Sequence, residues 1–335
     1  MKFKLTLEAT KSPRAIHYQD KIMLMGSCFS ENMGAKLHRH LFQVKENPHG
    51  ILFNPISVIN ALQDYIDNKQ YVNTDLFELN DLFNSWHHHT RFSDITSIAA
   101  LEKINSSISE AHTYLKVADK LIITLGSAWL YNLTAFAPSG DGMVVANNHK
   151  APANWFEKRL MDPHELTSHL QQMVSAIQSF NNKIQIIFTI SPVRHLREGL
   201  IENNRSKAVL IYAVHEVISQ LNGVAYFPAY EYVVDDLRDY RFYAEDLVHP
   251  NYAATNYVWD KLVNTYFSEE TQLIMAAVDE LQLAKQHKPF NKATIAHQAF
   301  LQKYLLKTQL LQSKYPYLSL TDFITFFSGE LINKA

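Results

Sequence analysis

Ser27 sits in Gly26-Ser27-Cys28-Phe29-Ser30, where the apolar run Ile22–Met25 stops abruptly. A serine on a strand-to-helix turn faces a helix N-terminus, where unpaired N–H groups and the helix dipole favour negative charge. It becomes a nucleophile only beside a base, normally a histidine held by a carboxylate. That pair occurs far downstream in "YAEDLVHPNY", where Asp246 and His249 are three residues apart. Pro250 follows and suits the first position of a helix. An aspartate in that loop would fix the imidazole tautomer and stabilise the imidazolium. Each motif alone has a plainer reading. Ser27 or Ser30 caps a helix, and Asp246 and His249 share a solvated loop. Their joint presence makes Ser27 a candidate nucleophile.

Other reactive side chains need weighing. Cys28, the single cysteine, would have its thiol pKa lowered at a helix N-terminus. A lone cysteine is more often a small buried hydrophobe, and Cys28 is read as one. Sixteen histidines are many for this length, and several cluster. In "SWHHHTRF", a strand would turn His87 and His89 to one side and His88 to the other. Two imidazoles on one face could ligate zinc with a third group. No carboxylate or cysteine follows at ligand spacing, so a metal-dependent hydrolase is the weakest reading. His149 in "NNHK", and Arg194 with His195 in "SPVRH", could touch substrate or hold neighbouring loops. Two carboxylates among Glu231, Asp235 and Asp236 could suggest glycosidase chemistry, but nothing fixes their separation.

The elements that would position these residues are legible. Ile22–Met25, Leu121–Leu125, Ile184–Ile190 and Val224–Phe227 are almost continuously apolar, as strands buried on both faces are. Residues 41–44 add a possible fifth. Helical periodicity covers Ser30–Leu41, Pro55–Ile66, Pro163–Phe180 and about Ser206–Leu221. The alternation predicts an α/β domain with a parallel sheet. A polar segment follows each strand: "GSCFS", "ENPHGILFNP", "GSAWLY", "SPVRH" and "PAYE". Ligands bind at the carboxyl ends of strands in such sheets, so all five segments converge on one rim. Two excursions interrupt the pattern. Residues 71–95 read as a hairpin turning at Asn80-Asp81. Residues 131–160 carry a turn at Ser139–Gly142. Long insertions of this kind often serve as lids or walls.

The whole chain sets limits. It has 335 residues, 47% of them hydrophobic, enough for a sizeable core. The net charge of −2 and the absence of a basic block argue against a nucleic-acid partner. One cysteine excludes an intrachain disulfide framework. No uncharged apolar stretch reaches membrane-spanning length, and no signal-peptide pattern opens the chain. A soluble cytoplasmic protein without a membrane partner is expected. Residues 1–267 are read as one domain and 268–335 as a helical C-terminal extension.

Ser27 in its "GS" block and Asp246-x-x-His249 before the last core helix resemble the SGNH/GDSL hydrolase superfamily. The chain resembles the GSCFA-domain family more closely, through "GSCFS", "HGILFNPIS", "WHHHTRFS", "TLGSAWLY", "NNHKAP", "SPVRH" and "YFPAYEYVVDDLRDYRFYAEDLVHP" over roughly residues 20–265. The resemblance implies a flavodoxin-like three-layer α/β/α fold of the SGNH type, with Ser27, His249 and Asp246 as a triad. It implies oxyanion donors from the Ser27 N–H, from a glycine that Gly50 fits, and from an asparagine in a "GxND" block. This chain has Gly126-Ser127-Ala128-Trp129 instead, so either Asn54, Ser127 or a histidine from an excursion donates, or the hole is incomplete. It also favours a pocket-rim role for the 87–89 run without telling which histidine points inward. His88, Arg91, Ser127, His149, Arg194 and His195 are the candidate substrate contacts, with a structural hydrogen-bonding role the equal alternative for His149, Arg194 and His195. The reading is an esterase or acyltransferase on a small-molecule or carbohydrate ester, with no metal or organic cofactor. The alternative is a non-catalytic binding module on the same fold, motivated by the missing asparagine.

Overall fold

The computed structural model describes residues 5–8, 10–138, 140 and 142–331. Five parallel strands form the central sheet: β1 (Lys21–Gly26), β2 (Gln43–Glu46), β5 (Lys120–Leu125), β8 (Gln185–Ile190) and β9 (Val224–Phe227). Their order is β2-β1-β5-β8-β9. Counting sheet strands alone, this is 2-1-3-4-5, the flavodoxin-like order, whose reversal falls between β1 and β5. β5 and β8 are buried at every residue, as their largely apolar sequence predicts, and Lys120 at the start of β5 donates to Gln185 at the start of β8.

Alternate strand residues feed two cores. Met23, Met25, Ile123 and Phe188 face α2 (Pro55–Asp67), α3 (Ser97–Leu115), α4 (Pro163–Phe180) and α5 (Leu200–Gln220). Ile22, Leu24, Ile122 and Ile187 face α1 (Cys28–Arg39) and α7 (Tyr252–Tyr266). The short α6 (Ala229–Glu231) precedes α7 and runs into a wide helical turn. The result is a three-layer α/β/α architecture. Helices α8 (Glu269–Gln286), α9 (Ile295–Lys314) and α10 (Thr321–Gly329) extend the second core through Val278, Leu301 and Phe327. His40 at the end of α1 meets Asp279 of α8 at 2.9 Å.

Several boundaries differ from expectation for local reasons. The fifth strand is Gln43–Glu46 rather than 41–44, because Leu41 takes a left-handed φ of 65° as the chain leaves α1. α1 begins at Cys28 because Ser27 caps it, and α5 begins at Leu200, six residues early. α3 has too few consecutive apolar residues to stand out, yet buries Ala100, Ile104, Ile108, Ala111 and Leu115 along one stripe.

The first excursion is a hairpin of β3 (Phe77–Leu79) and β4 (Leu82–Asn84), with Asn80 and Asp81 both at positive φ. In the second, β6 (Trp129–Leu133) pairs antiparallel with the distant β7 (Phe156–Leu160). Gly142 N–H donates to Leu133 O, so the chain reverses between them; Ser139 and Asp141 of the expected turn lie outside the described residues.

A sealed histidine network fastens the first excursion to α2. His49 meets Tyr65 Oη at 2.8 Å and Asp64 at 3.2 Å, and Asp64 accepts from Tyr71 Oη at 2.7 Å. The ring of His88 stacks on His49 with centroids 4.1 Å apart and meets Ser85 Oγ at 2.9 Å. His149, at a positive φ, donates from Nε2 to Ser85 O. Burial pushes the His49 and His88 imidazoles below the usual histidine range, and holds His87 and His149 at about 4. A histidine depressed in the folded state stabilises fully above the unfolded value near 6.5 and loses that contribution as pH falls toward the folded value.

Two outcomes follow for stability. Equilibrium urea unfolding at stepped pH should show stability falling between about pH 6.5 and 4, by about 1.4 kcal/mol per unit for each buried histidine that titrates. A flat profile across that window would contradict the neutral network. Gly26→Ala should cost at least about 2 kcal/mol, because φ is +124° there and an added Cβ would lie 2.0 Å from Thr124 O.

Candidate active site

The β1–α1 turn is pinned from every side. Gly26 N–H donates to Asn47 Oδ1 at 2.9 Å, and Gly26 O accepts from Leu52 N. Ser27 N–H donates to Thr124 O at 3.2 Å, and Ser30 Oγ bonds Thr124 Oγ1 at 2.8 Å. Ser27 is fully buried, and its hydroxyl accepts from Phe29 N at 3.3 Å as the cap of α1. No hydrogen bond joins it to His249. Cys28 departs from the buried reading, because its side chain is partly exposed. Its sulfur lies near its own N–H and that of Phe29, but burial and then Glu31 raise the thiol pKa.

Asp246 and His249 do meet. Asp246 Oδ2 lies 2.6 Å from His249 Nδ1, while Oδ1 accepts from Val248 N at 2.9 Å and His249 N at 3.0 Å. These bonds, first that from the His249 N–H, hold the carboxyl at about 2. With Nδ1 tied to the carboxylate, Nε2 is left as the basic nitrogen. The loop docks on the segment after β8: Arg194 N donates to Val248 O, and Arg194 Nη1 to Leu247 O, both at 3.2 Å. The guanidinium stacks over Tyr243 at 4.1 Å and Tyr240 at 4.8 Å. Arg194 therefore braces the histidine loop.

α1 and α7 run side by side in the same sense. Lys36 bonds Asn256, and the His40 ring lies 5.6 Å from Trp259. One turn or more earlier on each helix, Ser27 and Cys28 stand at the same sheet rim as the 246–249 loop. Beneath that rim lies Lys207, 1% exposed, donating to Gly126 O at 2.6 Å and Ser191 O at 2.7 Å. It ties the ends of β5 and β8 together, and burial lowers its pKa to about 7. The sequence signal for Lys207 was weak: one lysine on the apolar face of α5.

The expected oxyanion donors are occupied. Gly50 N–H donates to Asn47 O at 2.7 Å, and Ser27 N–H is held by Thr124. Asn54 caps α2 through Oδ1 and donates from Nδ2 to Val145 O at 3.1 Å. The pocket-rim role expected for His88 is not what the structure shows: its ring is at 0% exposure inside the network. His149 is likewise beneath the surface. Arg91 reaches Asn47 O and Glu31 on the outer side.

A cavity of about 290 Å³ opens at the end of β5, where Asn54, Ser127 and His195 meet the inner face of the second excursion. His195 Nε2 is buried without a partner, and burial, then Lys207, lowers its pKa to about 3. Sequence reasoning missed Trp129, Tyr131, Asn148, Arg197 and Glu198 in this wall. Trp129 and Tyr131 carry a period-2 signal on β6 that could have found them. Among the described residues, no group of three or more His, Cys, Asp or Glu is arranged to hold a metal ion, the His87–His89 run included. Among them too, no helix is long and apolar enough to cross a membrane.

The GSCFA family model matches residues 21–262, and the model of the GSCFA domain protein's C-terminal domain matches 278–333. No curated protein matches the chain. Among solved structures, the chain is similar to an acetyl xylan esterase (Est2A) from the rumen bacterium Butyrivibrio proteoclasticus, at 10% identity and a TM-score of 0.38. The match covers 74% of this chain and spans 64% of that esterase's length. The family match takes in the β1–α1 turn, every strand of the sheet and the Asp246–His249 loop: this chain belongs to the GSCFA family.

Proposed function

We propose that this protein is a hydrolase or acyltransferase acting on an ester, with Asp246 and His249 as its base. The observation carrying this is the 2.6 Å contact of Asp246 Oδ2 with His249 Nδ1, buttressed by two N–H bonds to the other carboxylate oxygen. That arrangement orients the ring and stabilises an imidazolium. The nucleophile comes from the β1–α1 turn. Its oxygen or sulfur attacks the carbonyl carbon while its proton passes to His249 Nε2. The tetrahedral intermediate expels the alcohol, which takes that proton, and leaves an acyl-enzyme. Water or a sugar hydroxyl then accepts the acyl group with His249 again as base. None of these steps needs a metal or an organic cofactor.

Ser27 is the nucleophile on the resemblance of its motif. Its cap bond is compatible with that role if the hydroxyl rotates toward His249 on substrate binding. A second reading assigns Cys28, because its side chain is partly exposed while Ser27 is wholly buried. Its raised pKa then makes the His249 base necessary to generate the thiolate.

Turnover of p-nitrophenyl acetate tests the proposal. His249→Ala and Asp246→Asn should each lower kcat by about 10²–10⁴. Of Ser27→Ala and Cys28→Ala, one should abolish turnover and so identify the nucleophile. Ser27→Ala also removes a helix cap worth about 1 kcal/mol, so its folded fraction is measured alongside. Wild-type turnover no faster than the His249→Ala variant would favour a binding module.

A further inference from the structure

The cavity at the end of β5 is more than a gap between elements. Its walls are aromatic on one side, with Trp129 and Tyr131 projecting from the same face of β6. Polar groups face them, and three are unspent. His195 Nε2 and Asn148 Nδ2 are buried without hydrogen-bond partners. Buried polar atoms left unpaired cost enough that native structures almost always satisfy them, so two in one cavity point to a ligand. The third is Arg197, whose guanidinium lies 5.1 Å over the Tyr131 ring. Arg197 is exposed at the cavity mouth and, among the described residues, pairs with no carboxylate within 4 Å. The one carboxylate in the wall, Glu198, is already engaged: it accepts from Tyr131 Oη at 2.7 Å and pairs with Lys158.

The cavity therefore offers an amide donor and a neutral imidazole nitrogen in its wall and a guanidinium at its mouth, while its one lining carboxylate is already paired. A guanidinium matches a carboxylate in a two-pronged geometry, and an amide N–H adds a third bond. The volume of about 290 Å³ admits a small group. His195 joins this cavity to the proposed reaction centre, since it follows Arg194, which braces the His249 loop.

We propose that this cavity is a binding site for a small carboxylate-bearing group, held by Arg197 and Asn148 with its carbon skeleton against Trp129. Where the acyl-transfer reading also holds, the consequence is a preference for esters carrying a free carboxylate a few bonds from the reacting carbonyl. Binding at the cavity itself does not depend on that reading.

The test uses the full chain with succinate as the probe and its uncharged diamide as the control, followed by saturation-transfer NMR and titration. A His249→Ala variant is included to separate the two claims. Succinate should bind wild type and His249→Ala alike. Arg197→Gln should weaken binding at least about tenfold, consistent with loss of a charged hydrogen-bonded contact. Trp129→Ala should weaken it as well, and the diamide should bind at least about tenfold more weakly than succinate. The proposal is overturned if succinate does not bind, if the diamide binds equally well, or if Arg197→Gln leaves succinate affinity unchanged. Succinate binding without ester turnover would uphold the cavity and reject the acyl-transfer reading; turnover without succinate binding would do the reverse.

Discussion

Everything at the sheet rim depends on how closely β1 passes over β5 before turning into α1. An added Cβ at Gly26 would sit 2.0 Å from Thr124 O, so only a residue without a side chain lets the two backbones approach. That approach lets Ser27 N–H reach Thr124 O and Ser30 Oγ reach Thr124 Oγ1. It thereby fixes the N-terminus of α1 at the point where the strand order reverses. Such reversals leave a crevice between strand ends, and open α/β sheets bind ligands there. Lys207 repeats the device one strand over by tying Gly126 O to Ser191 O. A buried ammonium without a paired carboxylate is costly.

The histidine loop is held by different means. Arg194 supplies two hydrogen bonds to the loop's carbonyls and stacks on Tyr240 and Tyr243. The Asp246 carboxylate spends one oxygen on the loop's own N–H groups and the other on the imidazole. Loop and base are thus ordered together. The His249 ring is half-exposed, whereas Ser27 is sealed and every expected oxyanion N–H is engaged. On the proposed reading, Ser27 must leave its cap bond or Cys28 take its place, whereas Asp246 and His249 already meet.

Much of this was legible in the chain itself, and the reasons are physical. Strands buried on both faces write themselves as almost continuous apolar runs, so four of the five sheet strands could be read directly, as could α1, α2, α4 and α5 by their periodicity. Asp246 and His249 are close in sequence, so their pairing was local and readable. The type of hairpin at Asn80-Asp81 was also a local signal. What escaped depends on distance. The cavity wall combines Trp129 and Tyr131 with Asn148 and Arg197, and nothing local joins those segments. His88 was read as a rim residue on the resemblance of its block, and nothing in the local sequence shows what its ring packs against. Stacked on His49 and bonded to Ser85, it is instead satisfied deep in the interior on one nitrogen. Arg194 and Arg197 lie in one short segment, and only the folded chain shows that the first braces a loop while the second faces the cavity.

The most direct measurement of the central claim is mass-spectrometric identification of the residue acylated during turnover. The protein is mixed with p-nitrophenyl acetate, quenched in acid and digested. The account expects the acetyl group on the peptide spanning Gly26–Ser30, on Ser27 or Cys28, with the label lost in the His249→Ala variant. Acetyl on another peptide, or label at this turn that persists without His249, would contradict it.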